Sequence, residues 1–232
     1  MALGLAAAGA DVVATGRRDV LVNEAADDIE ACGRRTIRQT CDVADPASLA
    51  ALRDRCRREL GRIDILVCAA GITTRVPTLE MADADWQRII DTNLTGTLRA
   101  CRAFAEPMLA QRDGRIITIA SLSSFLGFFE VAAYTASKSA LAGLTRALAV
   151  EWATRGVRVN AVVPGVFATD LNRALLESPR GQELVVRTPM KRFGRLDELV
   201  GAAVFLASDA SSFVTGQLLV VDGGFLASGV NL

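Results

Sequence analysis

The chain has 232 residues, of which 51% are hydrophobic, and its 26 basic residues balance its 26 acidic ones. This length fits a single domain, residues 1–232, and is short for two. The zero net charge and the lack of a basic segment interleaved with aromatics exclude a typical nucleic-acid partner. No apolar run reaches the about 20 residues of a membrane span. Five scattered cysteines without metal-like spacing predict free thiols, no metal site and a cytoplasmic location.

The hydrophobic pattern alternates strands with helices along the whole chain. Gly9 is expected to cap the first helix, Asp45-Pro46 to open the third, and Asp83 to cap a long helix. The predicted strands cover residues 11–15, 36–40, 63–69, 115–120, 157–163 and 217–221. The predicted helices cover residues 1–8, 23–32, 46–60, 83–110, 140–152, 170–186 and 196–207. Apolar strands alternating with helices predict an α/β fold, a doubly wound parallel sheet with helices on both faces.

Distinctive glycine or polar residues directly follow five of the predicted strands. In a parallel sheet these positions share one edge, where such folds bind their ligands. The residues are Gly16-Arg17-Arg18, Asp42, Ala70-Gly71, Ser121 and Pro164-Gly165.

Tyr134 and Lys138 stand four residues apart at the head of a helical segment, so they would share one helix face. A free tyrosine has a pKa of about 10, and a nearby ammonium favours the phenolate. We therefore expect Lys138 to lower the pKa of Tyr134. The pair could then act as a general acid/base in a chain without histidine, although such a spacing also arises by chance.

With these motifs in place, the chain resembles the short-chain dehydrogenase/reductase family over nearly its whole length. The most specific match is Ser121, twelve intervening residues, Tyr134, three residues and Lys138. The other matches are Asn93 in Asp91-Thr-Asn-Leu-Thr-Gly96, Asp42-Val43, the PGxxxT segment Pro164–Thr169, and Asp222-Gly-Gly-Phe225. The resemblance implies a Rossmann-like fold and an NAD(P)-dependent oxidoreductase that transfers hydride between nicotinamide and a secondary alcohol or ketone.

The resemblance also implies roles for individual residues. Tyr134 would exchange a proton with the substrate oxygen, Ser121 would hydrogen-bond that oxygen, and Lys138 would bind the cofactor ribose. Asn93 falls on the stripe Trp86, Ile90, Asn93, Thr97, Cys101, the expected buried face of its helix, and would hold a water that relays protons to Lys138. The residues expected to bind substrate are Ser121, Ser123 and Tyr134. Those expected to bind cofactor are Gly16, Arg17, Arg18, Asp42, Val43, Ala70, Gly71, Tyr134, Lys138, Pro164, Gly165, Val166 and Thr169.

The residues after the first predicted strand bear on the choice of cofactor. An acidic side chain at this position bonds the ribose of NAD, whereas an arginine accommodates the 2′-phosphate of NADP. Gly16 stands where NAD-preferring members of the family carry the acid, and Arg17 and Arg18 follow it. The sequence therefore favours NADP over NAD.

The chain departs from the family pattern in two places. The family's NNAG motif is here Cys68-Ala69-Ala70-Gly71. Family members also open with a strand and a TGxxxGxG loop, whereas this chain begins within the helix that should follow them. We expect from this that the first strand is missing and that the natural protein is longer.

Substrate specificity is expected from residues 73–77, 122–131 and 167–190. Phe125, Phe128 and Phe129 would make the pocket partly apolar, while Arg75, Asn172, Arg173 and Arg187 could meet a carboxylate or hydroxyls. The resemblance points to a small-molecule substrate such as gluconate or deoxygluconate, and to a homotetramer. The alternatives are a 3-oxoacyl-carrier-protein reductase, an inactive subunit that serves as an oligomer partner, and a dinucleotide-sensing protein.

Overall fold

The computed structural model describes residues 1–169 and 176–229. Its strands are β1 (Ile65–Cys68), β2 (Gly114–Ile119), β3 (Val157–Pro164) and β4 (Leu218–Val221). Its helices are α1 (Ala2–Ala7), α2 (Asp19–Ala31), α3 (Pro46–Leu60), α4 (Asp83–Ile90), α5 (Gly96–Gln111), α6 (Ala132–Trp152), α7 (Pro179–Arg187) and α8 (Val200–Ala207). A π-helical turn, Asp91–Thr95, joins α4 to α5.

The sheet has the strand order β1-β2-β3-β4, and every neighbouring pair is parallel. Helices cover both of its faces. On one face α5 and α6 pack against side chains such as Ile116 and Val159, and α3 packs against α5. On the other face α8 packs against Ile117 and Val162. The predicted α/β fold is thereby confirmed.

The parallel register brings the carboxyl ends of the strands to one edge. Cys68 of β1 pairs with Thr118, Ile119 with Val162, and Pro164 with Val221. The segments that follow these strands therefore meet at that edge. They include the positions that the sequence assigns to the site.

Two predicted strands are wrong as strands. Residues 11–15 and 36–40 form neither a helix nor a β-ladder. Only a few hydrogen bonds join the two segments, such as the one from Val12 N to Arg35 O at 3.1 Å. Among the described residues, β1 pairs with β2 alone, so no strand lies beside β1 for residues 11–15 to join. A strand needs such a neighbour for its backbone groups, whatever its side-chain pattern.

The predicted helix over residues 83–110 is interrupted by the π-helical turn. Trp86 is 39% exposed, whereas Asn93, Thr97 and Cys101 are buried, so the expected buried stripe holds from the turn onward. Asp83 is the first residue of α4 rather than its cap, which is Ala82. Asp45 does cap α3 by accepting from Ala47 N at 2.9 Å. Residues 170–175, the first part of a predicted helix, lie outside the described range.

Candidate active site

Ser121 is held beside α6 by a short turn that follows β2. Its hydroxyl accepts a hydrogen bond from the backbone N–H of Ser123 at 3.1 Å. Ser124 Oγ donates to the carbonyl of Lys138 at 2.7 Å, and Ser139 Oγ donates to the carbonyl of Ser123 at 3.1 Å. These bonds fix the turn to the first part of α6, which carries Tyr134. Ser123 itself is buried, and its part in substrate binding stays a prediction.

Tyr134 and Lys138 share one face of α6, as their spacing predicts. Lys138 Nζ lies 5.7 Å from the centroid of the Tyr134 ring. The Lys138 side chain is only 5% exposed, and its Nζ donates to the carbonyl of Ile119 at 2.6 Å. A buried ammonium thus stands next to the phenol at the end of β2.

The expectation that the pKa of Tyr134 lies below its usual value is wrong for the cofactor-free chain. Burial raises the pKa of Tyr134 because it disfavours the phenolate, and the hydroxyl of Ser121 acts in the opposite direction. Burial also lowers the pKa of Lys138 to about 8, which the nearby Cys68 partly offsets. Desolvation is therefore the largest influence on the pKa of both groups in this state.

Asn93 lies in the π-helical turn and is fully buried. Its amide nitrogen donates to the carbonyl of Ile72 at 2.9 Å and to Ser137 Oγ at 3.0 Å, and its Oδ1 accepts from Ile72 N at 2.8 Å. Thr97 Oγ1 donates to its backbone carbonyl at 2.9 Å. Both amide hydrogens are thus used within the chain, so only oxygen lone pairs remain for a water. The water-holding role stays a prediction.

Ser137 is a site residue that the sequence reasoning missed. It is fully buried on α6, and its hydroxyl donates to the carbonyl of Tyr134 at 2.7 Å. A weak signal was available, since serine is a poor helix former and this one stands inside a helical segment between Tyr134 and Lys138.

The segment after β1 leaves an open floor beside these side chains. Ala70 and Gly71 are exposed. A Cβ at Gly71 would lie 3.5 Å from Asn93 Oδ1 and 3.7 Å from Lys138 Nζ. A side chain here would fill the space next to Lys138. The preceding Cys68, which replaces the family's asparagine, has its Sγ 3.9 Å from that of Cys101 on α5.

The residues predicted to bind the adenosine half of the cofactor lie before α2 and α3. Arg17 and Arg18 are exposed, and neither forms an ion pair or a side-chain hydrogen bond within residues 1–169 and 176–229. Gly16 accepts from Cys41 N at 3.0 Å, which places it next to the start of the Asp42-Val43 segment. Asp42 Oδ1 accepts from Ala44 N at 2.9 Å. Two unpaired guanidinium groups and an open floor fit a phosphorylated dinucleotide.

Pro164 is the last residue of β3, Gly165 and Val166 follow it, and this segment packs against the end of β4. Gly165 N donates to Val221 O at 2.9 Å, and a Cβ at Gly165 would lie 2.6 Å from Asp222 Cα. Only glycine fits this approach. Phe167 is buried, whereas Thr169 is partly exposed. A cavity of about 350 Å³ opens beside this segment, lined in part by Val166 and Gly223.

The predicted specificity segments are described in part. Arg75 forms an ion pair with Glu130 at 2.8 Å, which joins the segment after β1 to the segment before α6. Phe125 and Phe129 are exposed, while Phe128 packs against Phe225 with ring centroids 6.4 Å apart. The guanidinium of Arg187 lies 5.5 Å from the Phe225 ring. Asn172 and Arg173 lie outside the described residues.

Among the described residues, no helix is both long and apolar enough to cross a membrane. No group of three or more Cys, Asp or Glu side chains within them is arranged to hold a metal ion.

Comparisons with known proteins agree with this geometry. A family model described as Enoyl-(Acyl carrier protein) reductase matches residues 1–226. The 2-dehydro-3-deoxy-D-gluconate 5-dehydrogenase of Escherichia coli (strain K12) is 42% identical over 98% of this chain and 90% of that protein. The 3-oxoacyl-acyl-carrier-protein reductase of the same strain is 39% identical over 95% of this chain and 88% of its own length.

A solved structure of similar sequence gives the same result. The gluconate 5-dehydrogenase from Burkholderia cenocepacia J2315, in complex with NADP and tartrate, superposes with a TM-score of 0.93. It is 39% identical, and the match covers 98% of this chain and 90% of that one. The chain therefore belongs to the short-chain dehydrogenase/reductase family of oxidoreductases.

Proposed function

We propose that the protein transfers hydride between NADP and a secondary alcohol or ketone of a sugar acid such as gluconate. The observation that carries the proposal is the position of Ser121, Tyr134 and Lys138 around one edge of the sheet. The relatives named for gluconate and deoxygluconate support the substrate class.

The proton chemistry is carried by Tyr134. Its phenol gives a proton to the substrate oxygen in the reductive direction and takes it back in the oxidative direction. Ser121 hydrogen-bonds the same oxygen and stabilises the charge that develops there. Lys138, with its pKa lowered to about 8 by burial, is mostly protonated at neutral pH and supplies positive charge beside the phenol.

NADP, when bound, supplies or accepts the hydride. Lys138 and Tyr134 would hold its ribose, Ala70 and Gly71 would form the floor beneath it, and Pro164 to Thr169 would line the nicotinamide side. Asp42 and Val43 would contact the adenine, next to Gly16. The exposed guanidinium groups of Arg17 and Arg18 would bind the 2′-phosphate, which supports NADP over NAD.

We also propose a homotetramer in the cytoplasm. On α6 the residues Ala140, Gly143, Ala147 and Val150 are exposed and recur at helical spacing. A stripe of small apolar residues allows two copies of a helix to approach closely. The five cysteines are free thiols, which supports a reducing compartment.

The test compares the wild-type chain with the variant Tyr134→Phe. With NADP and gluconate or a deoxygluconate, the wild type should produce reduced cofactor, followed by absorbance. Tyr134→Phe keeps the ring but removes the acid, so we expect at least a roughly 100-fold lower kcat. Binding of NADPH, measured by fluorescence, should weaken far less than kcat falls, since Lys138 keeps its contact with the ribose.

Other results would replace the proposal. Turnover of a 3-oxoacyl thioester in preference to sugar acids would make the protein a 3-oxoacyl-carrier-protein reductase, which the second named relative represents. Binding of NADPH without any turnover would indicate a sensor. Absence of binding would indicate an inactive subunit.

A further inference from the structure

Ser137 has an environment that the proposed chemistry does not yet use. It is fully buried on α6, between Tyr134 and Lys138. Serine inside a helix is less favourable than alanine, because it loses side-chain freedom and competes for backbone groups. A buried serine at this position is therefore expected to have a hydrogen-bond partner, which alanine could not bind.

That partner is Asn93. Ser137 Oγ accepts a hydrogen bond from Asn93 Nδ2 at 3.0 Å and donates its own hydrogen to the carbonyl of Tyr134 at 2.7 Å. The direction of the hydroxyl is thus fixed, since its single hydrogen points at the carbonyl of Tyr134. One of its two lone pairs accepts from the Asn93 amide.

Through Asn93 the same contact reaches the segment after β1. The Asn93 amide holds both backbone groups of Ile72, at 2.8 and 2.9 Å. Gly71, the neighbour of Ile72, lies against Asn93 and Lys138. A chain of hydrogen bonds therefore links the segment after β1 (Ala70–Ile72, called the floor below) to the π-helical turn and to α6.

We propose that Ser137 is a positioning residue that sets the distance between the Ala70–Ile72 floor and the Tyr134–Lys138 pair. It touches no reacting atom and acts through Asn93. Without the hydroxyl, one buried hydrogen of the Asn93 amide has no acceptor, so the amide turns or the floor shifts. Either movement displaces the floor relative to Lys138.

This inference rests on the proposed function for its kinetic test. In Ser137→Ala we expect kcat to fall about tenfold or more, while the KM for the sugar acid changes less than threefold. Alanine is the better helix former, so α6 should persist, which circular dichroism checks. Ser137→Thr keeps a hydroxyl and should recover most of the lost kcat.

Thr145→Ala is the matched control on the same helix. Thr145 is fully buried, and its hydroxyl donates to the carbonyl of Leu141 at 2.9 Å and lies 2.9 Å from Thr118 Oγ1. Among the described residues it has no hydrogen bond to Asn93 or Tyr134. Its loss should lower the melting temperature and leave kcat within twofold of the wild type. A buried hydroxyl that serves structure alone should behave in this way.

A double-mutant cycle with Asn93→Ala tests whether Ser137 acts through Asn93. If it does, Ser137→Ala should lower kcat by less than twofold in the Asn93→Ala background. Independent effects would multiply instead, and would overturn the inference.

A second measurement needs no turnover. In the cofactor-free chain, hydrogen exchange of the Asn93 side-chain amide, followed by NMR, should be slow in the wild type and in Thr145→Ala. It should be at least tenfold faster in Ser137→Ala. Equal exchange rates would refute the inference, whereas a wild type without turnover would refute only the proposed function.

Discussion

Replacing Lys138 by methionine should change how the stability of the cofactor-free protein depends on pH. Burial lowers the pKa of this lysine from 10.5 to about 8, so the folded state loses its proton before the unfolded state does. Between these two values the unfolded chain binds more protons, and stability therefore rises with pH. The difference between these two pKa values corresponds to about 3 kcal/mol, because one pKa unit is worth about 1.4 kcal/mol.

The magnitude refers to the difference between the wild type and Lys138→Met. Below pH 8 the wild type carries the full cost of the buried ammonium, and above about pH 10.5 that cost is gone. From pH 7 to pH 10 the wild type should therefore gain about 2 to 3 kcal/mol in unfolding free energy relative to the variant. Urea unfolding followed by tryptophan fluorescence at several pH values measures the difference.

The control is Lys191→Met, which removes the other lysine of the chain from an exposed site. It accounts for the loss of one positive charge. If the difference between the wild type and Lys138→Met stays constant from pH 7 to pH 10, the ammonium of Lys138 is not held in a poorly solvated site. The electrostatic description of the Tyr134–Lys138 pair would then be wrong.

Two further substitutions test the cofactor site and the junction of β3 with β4. Arg17→Ala should raise the KM for NADPH about tenfold and leave that for NADH within twofold, because one charge-assisted bond to the phosphate is lost; equal changes in steady-state kinetics would contradict this role. Gly165→Ala should lower the unfolding free energy by about 2 kcal/mol or more, because its Cβ would lie 2.6 Å from Asp222 Cα. Gly201→Ala, an exposed helical site with nothing within 4 Å, should instead gain about 0.5 to 1 kcal/mol in the same denaturation assay; similar losses in both variants would contradict the packing argument.

The four strands of the sheet could be predicted from sequence because each is a mostly apolar segment followed closely by a glycine or polar residue. Residues 11–15 and 36–40 carry a similar pattern but form no ladder. Side-chain pattern reports which face is buried, whereas a strand also requires a neighbour with free backbone groups. Whether such a neighbouring strand is present depends on the tertiary structure and cannot be predicted from the segment alone.

The site was predictable where spacing on one element decided the geometry. Tyr134 and Lys138 lie together because i and i+4 share a helix face. The direction in which the pKa of Tyr134 departs from its usual value was not predictable in this way, since it depends on burial by residues distant in sequence. The hydrogen-bond partners of Asn93 could not be predicted from sequence either, because Ile72 and Ser137 belong to two other segments.

The π-helical turn from Asp91 to Thr95 has a consequence for how this part of the chain tolerates insertions and deletions. One extra residue in a helix rotates everything before it by about 100° relative to everything after it. Ile89 before the turn and Cys101 after it are both fully buried. Removing a single residue from the turn would restore a continuous α-helix with better backbone bonding. It would also rotate Asn93 away from Ser137. The less favourable backbone geometry of the π-helical turn is therefore what keeps the Asn93 side-chain amide within hydrogen-bonding distance of Ser137.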